Sequence, residues 1–267
     1  MKAPAFAYVK PASLPEAFEL LQHPNAKILA GGQSLIPSLN MRLSSPELLV
    51  DITGLPGLSE IKVLNGFVRI GTLVTHTRIE QSPEIKKHIP LLAQAVPHIA
   101  HAAIRNRGTI GGSLALADPA AEYPACAVAL EAVFILKNKT TERRVKAEQF
   151  FKGLFETDLK PGEILTAAEF PVAGKSDRSV FLELTRRQGD YAIIGLAVHN
   201  SNFVYFGAGS MPVVAKNASS KKTLKEAKAA LAKDLNPPAD LYHSSATKLH
   251  LAKVLLTRAW NTLTTSH

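Results

Sequence analysis

The chain has 267 residues, 46% of them hydrophobic and 20% charged, a composition that suits a globular protein with one large core or two smaller ones. No run approaches the roughly 18 uncharged apolar residues of a membrane span. Residues 1–10 hold no apolar stretch before a small-residue cleavage site, so the expectation is a cytoplasmic protein without a signal peptide.

In chain order, residues 6–9 read as a short strand and residues 14–21 as a helix. Ser13 is its N-cap, Glu16 stands three positions on as in a capping box, and Leu14, Ala17, Phe18 and Leu21 share one face. A strand over 27–30 runs into Gly31 and Gly32, followed by a helix over 36–42 and a strand over 48–52. Residues 61–63 and 68–70 pair as a hairpin with Asn65-Gly66 in its turn. One continuous helix is predicted over 91–104, then a second glycine loop over 108–113 and an alanine-rich helix around 123–130. That helix carries Cys126, the single cysteine, read as a small buried hydrophobe. One thiol cannot close an intrachain disulfide or hold an iron–sulfur cluster unaided, so redox chemistry here needs an organic cofactor or a partner's metal. Residues 134–136 and 143–145 form another strand pair. Residues 173–179 read as a linker, before strands over 192–199 and 203–206 and helices over 222–233 and 246–263, with Ser244 or Ser245 as the last cap. The expected organisation is an α+β domain over 1–172, in subdomains of approximately 1–53 and 54–172, and a smaller α+β domain over 178–267.

The net charge of +9 is uneven: residues 178–267 hold 12 Lys and Arg against 5 Asp and Glu, and residues 1–177 hold 19 against 17. No aromatic-interleaved basic patch, RNA-binding signature or zinc-ligand spacing accompanies it. The reading is a solvated basic face or a surface docking an acidic partner, not a nucleic-acid site. His98 and His101, three apart, lack a third metal ligand.

The informative features are two glycine pairs, Ala30-Gly31-Gly32-Gln33-Ser34 and Thr109-Ile110-Gly111-Gly112-Ser113. Each stands where an apolar segment turns toward a helix. Without a Cβ, backbone amides can approach an anion closely and point at it together, and the hydroxyls of Ser34, Thr109 and Ser113 can donate as well. Neither pair matches the dinucleotide fingerprint or the P-loop pattern. The residues alone therefore leave phosphate binding open against an ordinary tight turn.

With their flanks, the two segments resemble the FAD-binding medium subunits of the molybdenum hydroxylases. The matching motifs are Phe6, Tyr8 and Pro11; Leu29 through the glycine pair to Pro37; Ile104-Arg105-Asn106-Arg107-Gly108 leading into the second pair, with Ala117-Asp118-Pro119 behind; Pro161-Gly162-Glu163-Ile164-Leu165; and Arg186-Arg187-Gln188-Gly189-Asp190-Tyr191-Ala192. They follow the family's order across nearly the whole chain. The resemblance implies a vanillyl-alcohol-oxidase-type FAD-binding domain of two α+β subdomains and a smaller C-terminal domain. It implies that Lys27, Ile28, Leu29, Ala30, Gly31, Gly32, Gln33, Ser34 and Leu35 wrap the pyrophosphate and ribityl chain, and that Thr109, Ile110, Gly111, Gly112 and Ser113 hold the other side. Glu122 then bonds near the ribityl or ring, Leu165 lies by the ring, and Tyr191 covers one face. Glu122 stands where Asp is more frequent, Gln33 where His is frequent, and the lysine often found between Phe181 and Thr185 is absent.

Asp118 either caps the following helix or touches the cofactor, and Arg105 and Arg107 pair with local carboxylates or a partner more readily than with phosphate. No nucleophile–base pair emerges; in this reading the flavin carries the chemistry. The resemblance further implies a molybdenum-pterin large subunit and a small subunit with two [2Fe-2S] clusters as partners, with NAD or another acceptor receiving the electrons. A stand-alone FAD-dependent oxidoreductase and a non-catalytic nucleotide-binding module are the alternatives.

Overall fold

The computed structural model describes residues 2–265. The N-terminal layer is built from β1 (Ala7–Val9), α1 (Leu14–Leu20), β2 (Ala26–Leu29), α2 (Leu35–Asn40) and β3 (Leu48–Asp51). The three strands are parallel in the order β1-β3-β2. All four residues of β3 are buried, as a central strand covered on both faces requires. The α1 cap forms as expected: Ser13 Oγ accepts from the Glu16 amide at 3.3 Å, and Glu16 Oε2 accepts from the Ala12 amide at 2.7 Å. Ala17 and Phe18 carry the helix onto a small core with Val50 and Ile52.

The second layer begins with β4 (Ile61–Leu64) and β5 (Phe67–Gly71), closed by a two-residue Asn65-Gly66 turn with Gly66 at φ +86°. Short helices follow: α3 (His76–Gln81), α4 (Pro83–His88), α5 (Pro90–Ala95), a 3-10 turn (Val96–His98), α6 (Ala102–Arg105), α7 (Ile110–Leu116) and α8 (Glu122–Ala129). The continuous helix expected over 91–104 is thus broken in two. Pro97 sits in the 3-10 turn and Ala100 adopts φ +44°, a left-handed conformation no helix can pass through. Next come β6 (Val133–Lys137), β7 (Glu142–Lys146), α9 (Ala147–Phe150), the small pair β8 (Phe151–Gly153) and β9 (Glu156–Thr157), and β10 (Ile164–Pro171). The five-stranded sheet is antiparallel in the order β4-β5-β10-β6-β7. Every residue of α8 is buried, and it packs on the C-terminal sheet at residues 194–199 and 202–206, so the largest core spans both regions.

That last region comprises β11 (Ser179–Leu184), β12 (Ile194–His199), β13 (Asn202–Phe206), β14 (Val213–Val214), α10 (Lys216–Ser219), α11 (Leu224–Asp234) and α12 (Ser245–Thr265). Its sheet is an antiparallel meander, β11-β12-β13-β14, with α11 and α12 over one face. Among the described residues no helix is long and apolar enough to cross a membrane.

Candidate functional site

A cleft of about 950 Å³ opens where the three regions meet. That is the upper end of the roughly 300–1,000 Å³ of small-molecule sites, a size suited to a dinucleotide.

The first glycine turn joins β2 to α2. Gly32 stands at φ +72°, and Gln33 Nε2 donates to the Gly31 carbonyl at 3.0 Å, closing the turn from inside. Carbonyls of Gly32 and Ser34 accept the first helical bonds, from Ile36 and Ser38. Among the described residues, the amides of Gly31, Gly32, Gln33 and Ser34 have no hydrogen-bond partner, and the Ser34 hydroxyl forms no cap. Four successive open donors ahead of a helix are an anion cradle.

The second glycine segment differs from its sequence reading in two ways. Gly111 and Gly112 lie in the first turn of α7, not in a loop, and Thr109 is the N-cap. Their donors are also spent. The Ile110 amide bonds Val74 O at 3.0 Å, Gly111 bonds Thr72 O at 3.0 Å, Gly112 bonds Thr109 Oγ1 at 3.1 Å and Ser113 bonds Thr109 O at 3.0 Å. Glycine is needed here for close packing: a Cβ on Gly111 would overlap the Thr72 side chain. Gly112, by contrast, is exposed toward the cleft, with only Thr109 Oγ1 near its Cβ position. The two segments therefore do not grip an anion symmetrically; the first offers donors and the second a close, smooth wall. They meet directly, because a Cβ on Gly31 would overlap the Arg107 carbonyl.

Most of the expected residues line this cleft: Lys27, Ile28, Ala30, Gly31, Gly32, Gln33, Ser34 and Leu35 on one side, Thr109, Gly111, Gly112 and Ser113 on another, with Asp118, Glu122, Leu165 and Tyr191. Two do not. Ile110 is fully buried in the main core, since its side chain faces away from the cleft wall its backbone helps build. Leu29, at the end of β2, borders a smaller hollow of about 410 Å³ behind the turn, with Asp51, Thr53 and Arg107.

Asp118 does not cap the following helix, whose N-cap is Ala121 without a side-chain bond; its Oδ1 accepts from the Ala120 amide at 2.9 Å in the turn before it, and the residue borders the cleft. Glu122, the first residue of α8, is 8% exposed. Burial, with the nearby charges of Glu183 and Asp118, pushes its carboxyl up to about 8, so it is largely protonated at neutral pH and able to donate. Leu165 precedes a register shift in β10 opposite β6, which turns the strand at the cleft. Its loop is held by Glu163, whose carboxylate takes two 2.8 Å bonds from Arg143. Tyr191 is 71% exposed at the mouth. It is carried there by the β11–β12 loop, which packs on the Ala100 carbonyl through Gly189, where a Cβ would come within 2.6 Å.

Arg105 is committed elsewhere, to Glu80 at 3.0 Å and to the carbonyls of Ile99 and Ala100. His98 pairs with Glu183 at 3.5 Å. Sequence reasoning missed Thr72 and His76, both buried and both on the cleft wall. Neither stands beside a glycine motif, and the only signal was polar residues directly after a strong hairpin.

Residues 4–173 match the family model described as "FAD binding domain in molybdopterin dehydrogenase". The chain is 37% identical over 279 residues to the glyceraldehyde dehydrogenase medium chain of Sulfolobus acidocaldarius, covering 97% of this chain and 99% of that relative. It is 38% identical over 200 residues to the carbon monoxide dehydrogenase medium chain of Hydrogenophaga pseudoflava, covering 74% and 70%. Among solved structures, carbon monoxide dehydrogenase from H. pseudoflava superposes with a TM-score of 0.93 at 33% identity over 98% of each chain. Quinoline 2-oxidoreductase from Pseudomonas putida 86 does so with a TM-score of 0.91 at 36% identity, over 97% of this chain and 96% of that one. The architecture, the open amide cradle and these matches agree: the chain belongs to the family of FAD-binding domains of molybdopterin dehydrogenases, as a flavin-binding oxidoreductase subunit.

Proposed function

We propose that this chain is the electron-relaying medium subunit of a molybdenum hydroxylase complex, with FAD seated in the cleft between its glycine segments. The observation that carries the reading is the run of four unpaired amides, from Gly31 to Ser34, on residues that line a dinucleotide-sized cleft. The residues that hold the cofactor are those from Lys27 to Leu35 and from Thr109 to Ser113, with Asp118, Glu122, Leu165 and Tyr191. Leu29 and Ile110 contribute through backbone alone. When bound, the flavin would supply the redox chemistry that links [2Fe-2S] clusters on a small partner subunit to NAD or another acceptor.

The chain's own residues bind and orient. The 31–34 amides and the Ser34 hydroxyl meet the diphosphate, with the N-terminal end of α2 adding a positive field. Gly112, without a side chain, would let the cofactor approach α7 closely. Protonated Glu122 donates from the buried end of the cleft, and Tyr191 offers an aromatic face at its mouth. Residues 1–172 form the FAD-binding domain, in subdomains of approximately 1–53 and 54–172, which the span of the family match supports. Residues 178–267 form the C-terminal domain, whose excess of 12 basic over 5 acidic residues suits docking to an acidic partner surface.

The relatives' names, medium chains of dehydrogenases, support a larger and a smaller partner chain, and the Mo-pyranopterin named for the matched carbon monoxide dehydrogenase supports a molybdenum-bearing one; the iron–sulfur small partner and the cytoplasm belong to the same proposal. Purification of the tagged chain from its native cells tests this. The expected result is a flavin absorption spectrum together with two co-purifying chains, one holding molybdenum and one iron. A yellow chain that purifies alone and turns over a small molecule would point to a stand-alone oxidoreductase instead.

A further inference from the structure

Between β5 and α3 the chain runs beneath the second glycine segment and is zipped to it. The His76 amide donates to Gly108 O, Ile110 to Val74 O and Gly111 to Thr72 O, each at 3.0 Å, and Thr75 pairs with Thr109 in an antiparallel bridge. This registration lays the His76 ring against Gly108, where a Cβ would stand 2.6 Å from Nε2. The same stretch of backbone, Arg107 and Gly108, is the one that Gly31 packs on. One imidazole therefore lies against the junction of the two glycine segments.

His76 is 5% exposed and borders the cleft. Neither ring nitrogen has a hydrogen-bond partner among the described residues, and Nδ1 is wholly buried. The ring packs edge-on to Tyr123 at 5.3 Å. Burial, helped by the Arg105 charge, holds its acidity near 4, so at neutral pH it is an uncharged imidazole with one N–H and one bare nitrogen. A neutral imidazole carries one N–H, and a buried donor left without an acceptor is costly unless a ligand completes it. No acceptor among the described residues does so.

We propose that His76 is a binding residue for the dinucleotide, its Nε2–H donating to an oxygen of the ribityl–diphosphate stretch, so that segment 71–76 is a third wall of the site. This rests on the cleft being the FAD site. Nδ1, wholly buried, is then the bare nitrogen of the neutral ring, and the ring needs no protonation to act.

The test uses the full chain stripped of flavin, labelled with ¹⁵N-histidine, and titrated with FAD. The His76 resonance is identified by its loss in His76→Gln. On FAD addition its Nε2 signal should move to a hydrogen-bonded position, with the attached proton protected from exchange. His76→Phe, which keeps the ring shape, should weaken FAD binding by roughly tenfold, the worth of one hydrogen bond. His76→Gln, whose amide nitrogen overlays Nε2, should restore much of it. If the wild-type chain binds FAD while the His76 signal stays fixed, or His76→Phe binds as tightly, the proposal is wrong and the FAD site stands. If the wild-type chain binds no FAD, both readings fall. Should His76→Phe not fold, the resonance of the wild-type chain decides alone.

Discussion

Replacing Glu122 by Gln gives a perturbation whose size follows from the structure. The carboxyl is buried at the start of α8, and its acidity is pushed from 4.5 to about 8, first by burial and then by the charges of Glu183 and Asp118. In the flavin-free chain, the folded state therefore keeps a proton that the unfolded state has released wherever the pH lies between those values. Folding stability must fall as pH rises through that window, by about 1.4 kcal/mol per pH unit for the one proton. Below about 4.5 both states are protonated and the effect vanishes; above about 8 it is complete. The interval spans roughly 3.5 pH units, so the full loss is at most about 5 kcal/mol, reduced by water reaching the carboxyl from the cleft. Gln has the same shape and no ionisation. Urea unfolding of both proteins at pH 5, 6, 7 and 8 should show stabilities that nearly coincide at pH 5 and diverge with pH, the variant becoming the more stable. Parallel curves across that range would mean that Glu122 ionises normally and is not a neutral donor in the cleft.

Four further outcomes follow from the packing. Gly111→Ala should destabilise the fold by about 2 kcal/mol or more, because its Cβ has no room beside Thr72, read as a fall in denaturation midpoint. Gly112→Ala should leave stability within about 1 kcal/mol, as its Cβ meets only Thr109 Oγ1 at 3.0 Å, yet weaken FAD binding by crowding the cleft wall. Tyr123→Phe removes a buried hydroxyl that has no partner, so thermal melts should show unchanged stability or a gain of about 1 kcal/mol. Tyr191→Ala, at a residue 71% exposed, should alter stability by less than about 0.5 kcal/mol while lowering FAD affinity in a fluorescence titration.

Local rules made several elements legible. Ser13 and Glu16 announced α1, and Asn65-Gly66 announced the β4–β5 turn, because caps and two-residue turns depend on near neighbours. The helix expected over 91–104 failed where tertiary packing holds Ala100 left-handed against the loop of Gly189, a contact nearly ninety residues away in the chain. Strand β10 was unread because it is central: seven of its eight residues are buried, so no alternation marks it, and its Glu169 is a buried carboxylate held by Arg69 and Arg144. At the site, both glycine pairs border one large cleft, but their sequences suggested equal roles. Only the hydrogen bonds show that the amides near Gly111 are already used by segment 72–76 and those near Gly32 are not. His76 was marked in the sequence only by its place soon after the hairpin, since its position on the cleft depends on that same pairing.

The central claim is that the open amides at Gly31 to Ser34 hold the diphosphate of FAD. Gly32 sits at φ +72°, a conformation that Asn and Asp tolerate better than other side chains, so Gly32→Asn and Gly32→Asp form a pair of equal shape and different charge. Equilibrium titration of the flavin-free chain with FAD should give saturable one-to-one binding for wild type, weaker binding for Gly32→Asn, and none for Gly32→Asp, with both variants folded by circular dichroism. Equal affinity for the Asn and Asp variants, or no affinity in the wild-type chain, would contradict the account.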